Sequence, residues 1–187
     1  GILWGQKGAC PMSLTTHPYH FFSDEAAFLA LWRPTLERLA GDAVQSVLGV
    51  WDRTDLGWNR SAPMLVCLSS GVLSVTVRSE RELAAGWNDL LPSDPPIWFD
   101  PEQLAGPALA GLDWTEDQVW REYPPAAPAL GHAVKQIAPI SGPDGLIGLR
   151  LLLDGGGRLE LRDTGDEIAA FYLPPQARAD CSKEAQP

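Results

Sequence analysis

The sequence predicts an α+β fold: two similar strand-turn-strand-helix units of antiparallel hairpins, a leading N-terminal helix and a packed connector rich in Pro and Trp. Three observations carry this prediction. Val72-Leu73-Ser74-Val75-Thr76-Val77 alternates at period two and follows a second apolar run, residues 65–68, across the turn Ser69-Ser70-Gly71. Ser79-Glu80-Arg81-Glu82 then reads as a capping box, with Leu83, Trp87 and Leu90 following at helical spacing. The pattern returns downstream: residues 149–153 and the pair Leu159/Leu161 flank the turn Asp154-Gly155-Gly156-Gly157. Thr164-Gly165-Asp166-Glu167 is a second capping box, opening onto Ile168-Ala169-Ala170.

The upstream match Gly41-Asp42-Ala43-Val44 against Gly131-His132-Ala133-Val134 keeps the same order, which is what an internal duplication produces. Convergence on the few residue types that turns and caps use is the competing explanation. Ile168-Ala169-Ala170-Phe171-Tyr172-Leu173 also suits a strand, because Ile, Phe and Tyr favour strands.

In chain order, residues 1–22 are an N-terminal extension broken by Gly and Pro. Residues 23–91 form the first unit with its leading helix. Ser23 is the expected N-cap, with Asp24 and Glu25 in the first turn. Phe28, Leu31, Trp32, Leu36 and Leu39 make one apolar stripe that ends before Gly41, and Pro34 is expected to kink or split it. Residues 44–51 follow as a strand, and 52–63 as a polar loop around Trp58.

Residues 92–130 are the connector. Trp98, Phe99, Trp114, Trp120 and Tyr123 are too many aromatics for a disordered linker, so an ordered, packed segment is expected. Asp100-Pro101 suits the start of a short helix. Thr115-Glu116-Asp117-Gln118, a third capping box, predicts another through Val119, Trp120 and Tyr123. Residues 131–173 are the second unit and 174–187 a polar tail, with the two halves set around a shared or adjacent core, as one domain or two.

The 187 residues carry 14 basic and 24 acidic side chains, a formal charge of −10. Without clustered Lys and Arg, nucleic acid and anionic membrane surfaces are poor partners; a basic protein partner fits. Cys10, Cys67 and Cys181 show neither metal spacing nor a disulfide framework, which points to a reducing, cytoplasmic setting. No apolar run reaches the length of a membrane span and no leader peptide is visible.

Catalytic patterns are sparse. His17 and His20 are three apart, but Pro18 prevents a helix that would aim both at one metal, so no metal or cofactor is expected. Asp52 and Asp55 pair two carboxylates on a loop after a strand, an arrangement able to divide acid and base work. Arg53 and Arg60 beside them equally suit a solvated, ion-paired loop. Trp58, Trp98, Phe99, Trp114, Glu116, Asp117 and Trp120 set aromatic anchors beside carboxylates, a composition suited to a cationic protein surface. The same aromatics would also serve to glue the connector onto the two units. The expected function is therefore a non-enzymatic protein-binding module of adaptor or toxin-neutralising type. The alternative is a small-molecule-binding protein or hydrolase with Asp52 and Asp55 in a groove between the halves, and a homodimer through exposed strand edges is a further possibility.

Overall fold

Strand pairing organises the chain in the computed structural model, which describes residues 20–94, 96, 117–165 and 167–177. One α-helix, α1 (Glu25–Arg38), precedes β1 (Val44–Asp52), β2 (Gly57–Asn59), β3 (Met64–Leu68), β4 (Gly71–Arg78) and β5 (Glu82–Trp87). Then come β6 (Gln118–Glu122), a 3-10 segment (Pro124–Ala129), β7 (Val134–Ser141), β8 (Leu146–Leu153), β9 (Arg158–Asp163) and β10 (Ile168–Leu173). Among the described residues all strand pairs are antiparallel, in a six-stranded and a four-stranded sheet.

The predicted α+β class is therefore corrected to a mainly antiparallel β fold. The error lies in the capping boxes. Ser79 and Glu80 both take positive φ (56° and 54°), the sign pattern of a hairpin turn rather than a helix entry. The next residues pair with β4 from Arg78↔Glu82 to Leu73↔Trp87. Residues 168–173 pair with β9 in the same manner, so the strand alternative for this segment is the one found. The helix expected through Val119 and Trp120 is β6, which lies along β1 from Leu48↔Glu122 to Asp52↔Gln118. A short helix competes poorly here, since nucleating one turn fixes several residues for one hydrogen bond while a ready strand edge offers a bond at every second residue. The helix expected at Asp100-Pro101 lies outside the described residues.

Val50 pairs with both Asn59 and Trp120, and Leu48 with both Leu65 and Glu122. Hence β2 and β3 share one edge of β1 as a single interrupted strand, and β6 takes the other. At the interruption the Arg60 carbonyl accepts from the Ile168 amide of the second sheet (2.9 Å).

Period-two alternation buries one face of each sheet in a common core. Val66, Leu73 and Val75 come from the first sheet and Leu149, Leu151 and Leu161 from the second. The helix caps this core. Asp24, rather than Ser23, is the N-cap, its carboxylate accepting from the Ala27 amide at 2.9 Å. Phe28 and Leu36 are buried, but Leu31 is 56% exposed and lies off the stripe. The helix runs through Pro34 without a break.

The two meanders meet at a reciprocal junction. Ala43 and Ala133 form an antiparallel bridge. The amides of Gly41 and Val44 donate to the carbonyls of Val134 and His132, and those of Gly131 and Val134 donate to Val44 and Asp42, at 2.7–2.9 Å. Gly41 and Gly131 both need positive φ (95° and 83°) to make this turn. Gly71, read in the sequence as part of the turn, opens β4. It is strand backbone, and a Cβ there would strike Trp87 and Asn88. Among the described residues no helix is long and apolar enough to cross a membrane.

Candidate functional site

The β1–β2–β6 corner gathers most of the described residues singled out in the sequence. Asp52 ends β1, and its Oδ1 accepts from the amides of Thr54 (2.8 Å) and Asp55 (3.0 Å), which folds the turn to Gly57. Its Oδ2 accepts from Gln118 Nε2 on β6. Thr54 Oγ1 donates to Asp117 Oδ2 (2.8 Å), and the Arg53 amide donates to the Asp117 carbonyl (2.8 Å). Pairing of β6 with β1 thus brings Asp117 to the turn across more than sixty residues of sequence. The Asp52 carboxylate is filled with donors, which suits a turn organiser. Asp55 stands exposed beside it.

The aromatics support this corner from beneath. Trp58 meets Trp51 edge to face (5.2 Å between centroids) and Tyr123 likewise (4.9 Å), and Arg121 lies 4.5 Å over the Trp51 ring. A Cβ on Gly49 would press on the Trp58 ring at 3.1 Å, so that glycine makes room for it. Trp120 packs beside Leu48, Leu65 and Leu90 on the other face of the sheet, its Nε1 donating to the Asp94 carbonyl (2.9 Å). Trp58 and Trp120 are both half-buried and lean to opposite faces, so they do not form one aromatic patch. Trp98, Phe99, Trp114 and Glu116 lie outside the described residues, as does His17.

The sequence reading missed Leu56. It is 73% exposed, the most exposed large hydrophobic side chain among the described residues. It sits at the turn tip with φ 51°, a left-handed conformation that costs an L-residue with a bulky side chain about 1–2 kcal/mol. The signal was a lone apolar residue in Asp-Arg-Thr-Asp-Leu-Gly. Asp55 precedes it in the turn, and the carboxylates of Asp52 and Asp117 bond to Thr54 of the same turn.

Elsewhere the chemistry is plain. Burial pushes the Cys67 thiol up, which keeps it protonated and a poor nucleophile. His132 Nδ1 lies 2.7 Å from Asp154 Oδ1, without a nucleophile beside it among the described residues. No group of three potential metal-ligating side chains occurs among the described residues. The core and the Ala43–Ala133 bridge fill the junction between the meanders, while Asp52 and Asp55 sit at the far end of β1. No protein-family model, no curated protein and no solved structure matches this chain.

Proposed function

We propose that this chain is a non-catalytic protein-binding module of the adaptor kind, engaging a basic protein partner through the β1–β2–β6 corner. One observation carries the reading: Leu56 is held out exposed at a strained turn whose Thr54 is bonded by the carboxylates of Asp52 and Asp117. Backbone strain costs stability, and such outliers concentrate where a surface is used. The formal charge of −10 supports steering of a cationic partner and weighs against nucleic acid. The scattered cysteines, with Cys67 a free thiol, support a cytoplasmic setting. The reciprocal bonds around Ala43 and Ala133 support descent of the two meanders from one duplicated unit.

Panning a phage library of random linear dodecapeptides tests the reading. Enriched peptides should carry Lys or Arg beside an apolar residue. Their affinity should fall at least about tenfold, or about 1.4 kcal/mol, in the double variant Leu56→Gly, Asp55→Asn. Enrichment without basic residues, or binding that the double variant leaves intact, would end this assignment.

A further inference from the structure

We infer that the outer face of the second sheet holds a ligand site, which takes a small organic carboxylate between Arg150 and Arg158. The inference goes beyond the hairpin corner and stands without it.

Leu149, Leu151, Leu159 and Leu161 fill the core, so strand alternation turns Arg150, Leu152, Arg158, Glu160 and Arg162 to the opposite face. Register arranges this face in rows across the sheet. One row runs Gln136, Leu152, Arg158 and Leu173, and the next runs Ala138, Arg150, Glu160 and Phe171. Arg150 and Arg158 therefore stand diagonally across β8 and β9, where Cβ atoms lie roughly 7–8 Å apart, within reach of long side chains. Two guanidinium groups so placed can close on one anion from two sides. Like charges this near repel, and an anion seated between them removes that cost.

The same two rows enclose a hollow of about 250 Å³, lined by Gln136, Ala138, Arg150, Leu152 and Arg158. Its volume lies just under the roughly 300–1,000 Å³ of sites for drug-sized molecules, so a compact occupant fits. Leu152 and the small side chain of Ala138 supply apolar surface. The two arginines and the Gln136 amide supply donors. A guanidinium group is planar and presents paired N–H donors that match the two oxygens of a carboxylate. The lining thus suits a carboxylate head on a short apolar body.

Charge selects the sign of the occupant. No carboxylate lines this hollow. The one carboxylate in the two rows, Glu160, is only 4% exposed and accepts from Arg150 Nε at 2.7 Å, so it fixes Arg150 in place from below the surface. Arg158 makes no ion pair among the described residues. Arg162, in the adjoining row opposite Gly148, makes none either. Its guanidinium lies 4.7 Å over the Phe171 ring, and its Nε is buried without a hydrogen-bond partner. Three guanidinium groups thus share one carboxylate on this face. That local surplus of positive charge stands out on a chain of formal charge −10. Screening over about 8 Å at physiological salt lets the local charge decide what binds here.

The test follows the arginine Nε–H resonances of the full chain by NMR while benzoate, hexanoate, sulfate or benzylammonium is added at constant ionic strength. Benzoate or hexanoate should shift the Arg150 and Arg158 signals along one saturating curve and leave those of Arg33 and Arg53, exposed elsewhere, unmoved. Sulfate, which lacks the apolar body, should bind at least about tenfold more weakly, and benzylammonium should not bind. Arg158 is the residue to change, because removing Arg150 would strand the buried Glu160. Arg158→Gln should weaken carboxylate binding at least about tenfold while leaving the far-UV spectrum unchanged. Shifts that never saturate, or that appear equally at Arg33 and Arg53, would mean an ion atmosphere only and overturn the inference. So would binding by neither carboxylate, equal binding of sulfate or benzylammonium, or indifference to Arg158→Gln. The double variant Leu56→Gly, Asp55→Asn should leave carboxylate binding intact, so either site can fail alone.

Discussion

His132 sets the titration of a surface carboxylate. Its hydrogen bond to Asp154, ahead of the Ala133 backbone amide and the charge of Lys135, holds the Asp154 carboxyl below the ordinary aspartate value. A folded pKa below the unfolded one means that the ionised form favours folding. This contribution is in place above the unfolded pKa, about 4, and is lost as pH falls through the lowered folded value. His132→Ala should therefore move the Asp154 midpoint back up. A ¹³C NMR titration of its side-chain carboxyl checks this, and an unmoved midpoint would assign the shift to the backbone instead. Asp42 occupies the corresponding place in the first meander, accepting from the Ser70 hydroxyl and amide. The match between Gly41-Asp42 and Gly131-His132 was legible in the sequence. The bonding partners were not, because they sit on the β3–β4 and β8–β9 turns, brought near only by strand register.

At the scale of elements, strands with strict alternation were readable and those with small residues were not. β4 alternates Leu73, Val75 and Val77 inward, and the structure pairs it as expected with residues 65–68. β5 carries Leu83-Ala84-Ala85-Gly86, and Leu and Ala are good helix formers, so local propensity misled. Its pairing with β4 supplies what propensity opposed. For the candidate site, Asp52, Asp55 and Trp58 were legible as one loop. Asp117 and Trp120 were not legible as its neighbours, since the reading of β6 as a helix hid the connection to β1. Arg158, Glu160 and Arg162 show the same limit. Their alternation with Leu159 and Leu161 marks a strand, but the placement of Arg150 opposite Glu160 needs the register. Glu160 is only 4% exposed and depends on that arginine for its ion pair. The register in turn depends on Gly148, where a Cβ would strike the Leu161 carbonyl and the Arg162 backbone. Gly148→Ala should destabilise by about 2 kcal/mol, the usual cost of overpacking against groups that cannot yield. Urea unfolding measures it, and a change below about 0.5 kcal/mol, typical of unconstrained surface sites, would show that β8 and β9 can shift apart.

At the scale of the molecule, the decisive feature is that the two sheets share one core. Repeated local patterns suggested two related halves around a shared or adjacent core and left that choice open, because they are blind to which face each strand buries. Removing the second meander would bare Val66, Leu73 and Val75 on the first sheet, and removing the first would bare Leu149, Leu151 and Leu161 on the second. Each such side chain is worth about 1.5–3 kcal/mol of burial, so exposing even three costs about as much as the 5–15 kcal/mol total stability of a typical domain. The four reciprocal bonds about Ala43 and Ala133 would break at the same time. A half-folded state is therefore penalised on both counts, and the two meanders should unfold in one transition. The chain provides its own separation of probes. All eight Trp precede residue 131, and the five described ones lie on α1, β1, β2, β5 and β6, so they place fluorescence probes on the first meander and its helix. Amide hydrogen exchange across β8 and β9 reports the second. Coincident fluorescence and far-UV transitions in urea, with the slowest amides of β8 exchanging at the global unfolding free energy, are the expected result. If β8 and β9 instead exchange at a lower free energy than the amides of β3 and β4, the core is shared in packing but not in cooperativity.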